Sequence, residues 1–481
     1  MSFFRRDKKY ILLPVVEDKA TMKMAFLFSQ FFLEEDKLLG VKYFFPLTGE
    51  DILTIKNRIY RRTKGFRYYG SFYEKKVMQM HGVRPKDIAF SNFSLFFWKN
   101  KKRSLSSKEE LLAFRIGNIA AGDLIYDTYL RYKKKPTVDM DDPALQDVIN
   151  YACQLARRID KYLASANIAA VIIPYTTYIH WGLLTRMALS RNIPVYTFGN
   201  INYLLQRATA SFPFHSKNYP LFHKLFTSIE NNESLMPQVA EAIAKRMNGV
   251  VDASSWYMRK SAFAKQDNAP GFTHISDKPF AIIFAHCFFD SPHIYGSSLF
   301  PDFYEWIRFL LTVASTEPDV VYYVKPHPNG IQGNTEILAE LFREFHFPNI
   351  ILLDSNISNM ELINSKPDAV FSVYGTVCHE FAYVGVPAIL AGENPHGEYG
   401  FYYNPKTKES METFVRNVGK YGLPEAYVKR DIEEFFFMNY MYVARNIYNM
   451  DLQKIKDFET GDCILPLNAA LSDIIYPSLE E

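Results

Sequence analysis

Asp368-Ala-Val-Phe-Ser-Val-Tyr-Gly-Thr-Val-Cys-His-Glu-Phe-Ala-Tyr-Val-Gly-Val-Pro387 reads as a strand, a tight turn and a helix in immediate succession. The apolar run 369–373 has the length and β-branched content of a buried strand, and Ser372 to Gly375 supply the turn. A helix pattern over 375–385 then ends at Gly385 and Pro387, and a second strand follows at 387–390. Strand, helix and strand in this order make the βαβ unit of an α/β fold.

The same alternation extends outward. Upstream of it, 280–285, 320–324 and 350–353 read as strands, separated by helix patterns at 301–316, 334–345 and 358–365. An earlier series places strands at 168–173 and 193–198 around a helix at 181–190, and strand-like runs at 10–16 and 41–45 fit the start of a Rossmann-like unit. With 481 residues the chain is too long for one core, so the expectation is two Rossmann-like domains facing across a cleft. The polar Lys265-Gln-Asp-Asn-Ala-Pro-Gly271 stretch divides an amino-terminal domain, 1–270, from a carboxy-terminal one, 271–425. The aromatic helix pattern at 424–450 predicts that 426–481 returns to the first domain.

Composition narrows the class. A 48% hydrophobic and 16% aromatic content excludes a disordered chain. Cys153, Cys287, Cys378 and Cys463 are widely spaced and form no CxxC pair, which argues against a disulfide framework or a zinc site and for a reducing compartment. No run is long enough to span a membrane, and the start MSFFRRDKK lacks the apolar stretch of a signal peptide, so a cytoplasmic location is expected, with a seat on the inner face of the membrane as the alternative. The net charge of +3 conceals an asymmetry: residues 1–110 hold 23 basic and 12 acidic residues, or +11, leaving 32 and 40, or −8, for the rest. Within that basic part, Lys56 to Lys76 interleaves cations with aromatics, and Lys99-Asn-Lys-Lys-Arg103 adds a second cluster. Such a surface suits an anionic membrane or a polyanionic acceptor; nucleic acid ranks last, because no recognised module for it is visible.

Two segments carry the chemistry. Val320 to Val324 delivers Lys325-Pro-His-Pro328 to the carboxyl end of a strand, where ligands bind in open α/β sheets, and the prolines fix the direction of His327. Lys325 as a point charge and His327 as a donor suit phosphate oxygens. In the opening segment, Ser372, Tyr374, Gly375 and Thr376 lie at a strand-to-helix turn whose amides and hydroxyls can cradle a phosphate. Glu380 follows one helical turn after Thr376, placed to accept hydrogen bonds from ribose hydroxyls. His286, Asp290 and His293 follow the first strand of the second domain. Their spacing would need a helix that Pro292 opposes, so they read as donor or cleft contacts and no metal is assigned. Gly392 to Gly400 is a loop that either closes on the ligand or is a solvent-exposed turn. In the first domain, Asp123 and Asp127 are candidate general bases, His180 is their competitor, and Arg131 is a candidate acceptor contact.

Taken together, the KPHP segment, the G-T-x-x-x-E-x-x-x-x-G-x-P helix and His286-Cys-Phe-Phe-Asp-Ser-Pro-His293 resemble the capsule and surface polysaccharide biosynthesis glycosyltransferases of GT-B architecture. Their relatives include Kdo transferases and CDP-glycerol glycerophosphotransferases. Gly122 to Arg131, Pro136-Thr137, Tyr178 to Gly182, Arg191 to Tyr196 and Arg246-Met-Asn-Gly249 with Asp252 are similar to segments of the same group, so the resemblance covers about 111–405. It implies that Lys325 and His327 contact the donor phosphate, that Ser372, Gly375 and Thr376 cradle it, and that Glu380 binds the ribose. The early loop departs from the group's pattern, with Tyr175-Thr176-Thr177 where a His-Gly pair is common. The implied activity is metal-independent transfer of a sugar from a CMP- or other nucleotide-linked donor to a surface glycan or its lipid-linked primer, with no cofactor besides that co-substrate. Transfer of a CDP-linked alcohol phosphate and non-catalytic glycan binding are the rival readings.

Overall fold

The computed structural model describes residues 8–14, 25, 28–29, 40–45, 88–90, 104–198, 206–216, 219–250, 261–264, 270–328, 330 and 333–442, with backbone alone for 43–45 and 88–90. The chain divides into two compact units. The described residues up to 216 form the first, apart from Lys134–Thr137, which join the second together with Tyr219 onward.

The first unit holds strands β1 (Tyr10–Pro14), β2 (Gly40–Phe45), β3 (Ile88–Phe90), a small antiparallel hairpin of β4 (Arg115–Ile116) and β5 (Ile119–Ala120), then β6 (Ile168–Ile173), β7 (Val195–Thr197) and β8 (Gln206–Ala208). Its helices are α1 (Lys108–Leu112), α2 (Gly122–Lys133), α3 (Pro143–Ser165) and α4 (Tyr178–Ser190). The main sheet has the order β3-β2-β1-β6-β7-β8; all neighbours are parallel except β7 and β8. Strand β6 ends in the buried Val171-Ile-Ile173, and α2, α3 and α4 add Leu124, Ile125, Tyr126, Val148, Ile149 and Leu183 to the same core. Helix α3 starts well, with Asp142 accepting a hydrogen bond from Ala144 N–H ahead of a proline in the first turn.

The second unit is a doubly wound sheet of β9 (Phe280–Phe284), β10 (Val321–Lys325), β11 (Ile350–Leu352), β12 (Ala369–Ser372) and β13 (Ala388–Leu390), ordered β11-β10-β9-β12-β13 and parallel throughout. Between consecutive strands lie α7 (Phe303–Ala314), α8 (Asn334–Glu344), α9 (Asn359–Asn364) and α10 (Val377–Tyr383). Helices α5 (Phe222–Thr227) and α6 (Met236–Met247) precede the sheet, and α11 (Lys408–Arg416) and α12 (Lys429–Phe436) follow it. Strand order reverses between β9 and β12, which opens a crevice at their carboxyl ends.

Two boundary expectations differ from the structure. The second unit begins near residue 218, not 271, because α5 and α6 carry apolar and charged groups that only this unit can bury. Phe222 and Phe226 pack on Phe435 and Phe437, with ring centroids 6.1 and 5.8 Å apart, and Arg246 is buried against Glu380. The segment just before the Pro/Gly stretch is pinned there as well, through Ser358 Oγ to Phe263 O at 2.7 Å and Asn359 N to Ala262 O at 2.8 Å. The described part of the terminal helix, α12, packs within the second unit: Glu434 accepts from Tyr399 Oη at 2.9 Å and meets His223 Nδ1 at 3.0 Å. Residues 443–481 and the basic clusters at 56–76 and 99–103 lie outside the described residues, as does Cys463. Among the described residues no helix is long and apolar enough to cross a membrane.

Candidate functional site

The crevice between β9 and β12 is built around one imidazole. His286, just past β9, accepts a hydrogen bond at Nε2 from Val373 N–H at 3.2 Å, and Ser372 Oγ lies 3.0 Å from the same nitrogen. A backbone amide donates onto Nε2, so that nitrogen is unprotonated and the ring neutral. Burial, with the charge of His327 adding to it, lowers His286 to about 3. The ring stacks on Phe303 at 4.5 Å and packs against Tyr374 at 4.8 Å. His286 therefore orients the turn after β12, and its Nε2 is occupied within the protein.

That turn closes on itself. Gly375 N–H donates to Ser372 Oγ at 3.2 Å, and a Cβ on Gly375 would lie 2.7 Å from that oxygen, so any side chain here would displace the serine. Tyr374 Oη is tied to Ser291 O at 3.2 Å. Thr376 is exposed and its hydroxyl makes no capping bond to α10, which leaves the hydroxyl facing solvent beside the first amides of the helix. Ser372, Tyr374, Gly375 and Thr376 are thus brought together at the carboxyl end of β12.

Lys325 ends β10, which is separated from β12 by β9, and is 2% exposed. Its ammonium donates to Asn359 Oδ1, at the start of α9, and burial lowers it to about 8 against the supporting charges of Glu380 and Glu361. One bond to Asn359 leaves two ammonium N–H groups for other acceptors. His327 stands two residues further on and is exposed. Partial loss of water around the ring lowers its pKa; Asp290 opposes this shift and Lys325 reinforces it. Asp290 and His293 sit in irregular turns between residues 285 and 297, and Asp290 Oδ1 accepts from Ser291 N–H at 3.0 Å. Among the described residues no three His, Cys, Asp or Glu side chains gather as a metal site.

Glu380 is buried on α10 and paired: Arg246 Nε donates to its Oε1 at 2.9 Å, with the two side chains 8% and 5% exposed. Arg246 also lies over the Tyr440 ring at 4.8 Å. Sequence reading places Glu380 correctly on the helix after the turn but misses this partner, which is 134 residues away. Its only trace is Arg246-Met-Asn-Gly249 among the matching segments.

A second buried feature was not anticipated. Tyr440 Oη is 3.4 Å from His379 Nε2, His379 Nδ1 is 3.0 Å from His396 Nε2, and His396 Nδ1 is 2.9 Å from Asn394 Oδ1. Asn394 Nδ2 donates to Gly392 O at 2.8 Å, so its Oδ1 must be the acceptor and His396 Nδ1 the donor. The polarity then runs one way: Tyr440 donates to His379, His379 to His396 and His396 to Asn394. Burial keeps both rings neutral, lowering His379 well below the ordinary histidine value and His396 to about 3. The loop 392–400 is partly packed, with Glu393, Gly397 and Glu398 exposed. Asn394 and His396 are buried, and Glu393 N–H donates to Ser297 O at 2.8 Å.

In the first unit the expected bases have partners of their own. Asp123 and Asp127 lie on α2, just after the short strand β5. Arg186 grips both oxygens of Asp123 at 2.7 and 2.5 Å, which leaves that carboxylate poorly placed to take a proton. Asp127 is 2% exposed, and Arg131, one turn further along α2, is half-buried. His180 is 2% exposed, stacked on Tyr178 at 5.7 Å and edge-on to Trp181 at 4.8 Å, so Trp181 packs in the core.

No protein-family model matches the chain, and no curated protein is similar to it. Solved structures are similar at a distance. A UDP-GlcNAc 2-epimerase from Neisseria meningitidis is 12% identical with a TM-score of 0.30, covering 92% of this chain and 100% of its own. A β-Kdo 2,4-transferase, KpsC of Thermosulfurimonas dismutans, is 15% identical with a TM-score of 0.37, covering 57% and 80%. The calicheamicin glycosyltransferase CalG4 is 11% identical with a TM-score of 0.28, covering 95% and 100%. Scores this low carry no argument about function.

Proposed function

We propose that this chain is a glycosyltransferase that moves a sugar from a nucleotide-activated donor to a surface or capsular glycan, or to its lipid-linked primer. The observation that carries the reading is the turn Ser372 to Thr376, locked by His286 at the reversal of strand order, with the Lys325 ammonium at the end of β10 on the far side of β9. A neutral, doubly engaged imidazole fixes the turn through the Val373 amide and the Ser372 hydroxyl, and a buried ammonium gives an anion a counter-charge at little reorganisation cost.

In this reading the donor phosphate lies on the turn. Lys325 and the first amides of α10 stabilise the charge that grows on the leaving nucleotide, and His327 donates from the rim. Glu380, held at Oε1 by Arg246, offers Oε2 to a ribose hydroxyl. Deprotonation of the acceptor hydroxyl is assigned to the first unit, to Asp127 with His180 as the alternative, since Asp123 is committed to Arg186. No step calls for a metal or a resident cofactor.

A melting panel with CMP, CDP, UDP, GDP and ADP tests the donor site. The matching nucleotide should stabilise the protein by about 2.7 kcal/mol at one hundred times its dissociation constant, and the motif resemblance favours cytidine. If none of the five raises the melting temperature, the donor site has been drawn in the wrong place.

A further inference from the structure

The first sheet has its own reversal of strand order, between β1 and β6, and an unassigned histidine stands at the carboxyl end of β6. His215 lies in the loop after β8, which folds back on the strand ends through Thr197 Oγ1 to Phe214 O at 3.5 Å and through the Gln206 amide to Ser216 O. Thr176, just past β6 and 4% exposed, holds His215 by two contacts to the ring and one to its backbone. Its backbone N–H donates to His215 Nδ1 at 3.2 Å, its hydroxyl lies 3.1 Å from the same nitrogen, and its Oγ1 accepts from His215 N–H at 3.0 Å.

The hydrogen positions follow from these contacts. An amide N–H pointing at Nδ1 requires a lone pair there, so the proton of the neutral ring sits on Nε2. A second proton on the ring would face the Thr176 amide head-on. Burial acts in the same direction, lowering His215 to about 4. Nε2 has no hydrogen-bond partner among the described residues, and the residue is half-buried. The half-buried ring of Tyr175 meets His215 edge-on at 5.5 Å. Three residues after Tyr175, Tyr178 holds a left-handed backbone at φ 59, a costly conformation for a bulky residue that the surrounding packing must enforce.

We propose that His215, locked by Thr176, is the hydrogen-bond donor of a saccharide-binding site at the carboxyl end of β6, giving a neutral Nε2–H to a hydroxyl or ring oxygen of the acceptor sugar. The class of ligand rests on the transferase reading; the tautomer and the open donor do not. The ring acts as a binding group, because the nitrogen that could serve as a base is turned inward to Thr176. A neutral donor beside an aromatic ring suits sugar oxygens better than phosphate, which calls for charge.

The test uses the full chain labelled with 15N-histidine, assigning His215 by its loss in His215→Gln. Its ring should be the Nε2–H tautomer from pH 5 to 8, and its Nε2 resonance should move on titration with lactose or sialyllactose. His215→Phe should weaken saccharide binding about tenfold, the size of one lost hydrogen bond, and leave CMP binding unchanged. Thr176→Val keeps the backbone N–H and should therefore keep the Nε2–H tautomer, but it removes the acceptor for His215 N–H and should weaken saccharide binding, while Thr176→Ser should retain wild-type affinity. An Nδ1–H tautomer, a resonance that neither sugar moves, or unaltered saccharide affinity in His215→Phe overturns the proposal. Failure of the nucleotide panel would sink the donor reading without touching these outcomes.

Discussion

Replacing Arg246 by leucine separates the structural from the ligand-binding share of the Arg246–Glu380 pair. Both side chains are almost fully buried and meet at 2.9 Å, so the single variant strands a carboxylate in a low-dielectric interior. Breaking a buried pair from one side costs about 3–5 kcal/mol. For a unit of this size that is a fall of roughly 6–20 °C in melting temperature. The double variant Arg246→Leu/Glu380→Leu removes the stranded charge, and replacing both partners of such a pair by apolar groups is often close to neutral. The double-mutant cycle should therefore show a strong coupling, with the double variant more stable than Arg246→Leu alone. Calorimetry of the four proteins measures it. Nucleotide titration of the same set reads the second role: all three variants should lose donor affinity, because Glu380 is either displaced or absent. A loss below about 1 kcal/mol in Arg246→Leu, or simple additivity in the cycle, would refute the claim that the pair is a buried unit. Full nucleotide affinity in the double variant would refute the ribose assignment alone.

Lys325 makes a pH prediction whose two halves have opposite sign. Burial lowers it from an ordinary value of 10.5 to about 8, so the folded protein releases this proton before the unfolded chain does. Stability should rise with pH between those values, whereas nucleotide affinity should fall as pH passes 8; affinity flat to pH 9.5 would remove Lys325 from the phosphate site. His286→Phe should keep the stacking on Phe303 but leave the Val373 amide without its acceptor, costing about 1–3 kcal/mol and most of the nucleotide affinity, as read by urea unfolding and titration. Asp127→Asn should leave donor binding unchanged and suppress transfer, measured as nucleotide release with acceptor; retained transfer passes the role of base to His180. Finally, the +11 segment 1–110 should carry the chain onto anionic vesicles in a salt-sensitive manner, and neutralising Arg61-Arg62 and Lys101-Lys102-Arg103 should abolish co-sedimentation; salt-independent binding contradicts the electrostatic reading.

The strands of the second unit and β1, β2, β6 and β7 of the first were legible because they are short apolar runs that leave a local pattern, whereas β3 and β8 were not read. The expected strand at 168–173 coincides with β6, and the five strands of the second unit differ from expectation by one or two residues at their ends. The site turn was legible for the same reason, since Ser372, Gly375 and Glu380 lie within one strand-turn-helix segment. The pairings were not. Arg246 with Glu380, Lys325 with Asn359 and Thr176 with His215 join residues 134, 34 and 39 positions apart, and no periodicity records such contacts. The domain boundary failed because a Pro/Gly stretch signals an irregular chain and says nothing about which core buries the helices before it. Here the aromatic face of α5 and the buried Arg246 of α6 outweigh that signal.

The chain of bonds from Tyr440 through His379 and His396 to Asn394 restricts how this region can diverge. Every link depends on the donor sense of the one before it, so exchanging either histidine, which accepts and donates at once, for a residue that can do only one leaves a neighbour unpaired. Positions 379 and 396 should therefore drift as a couple, passing together to an apolar pair or not at all. An alignment of distant homologues would record that as covariation between the helix that bears Glu380 and a loop that touches no ligand in the proposed site.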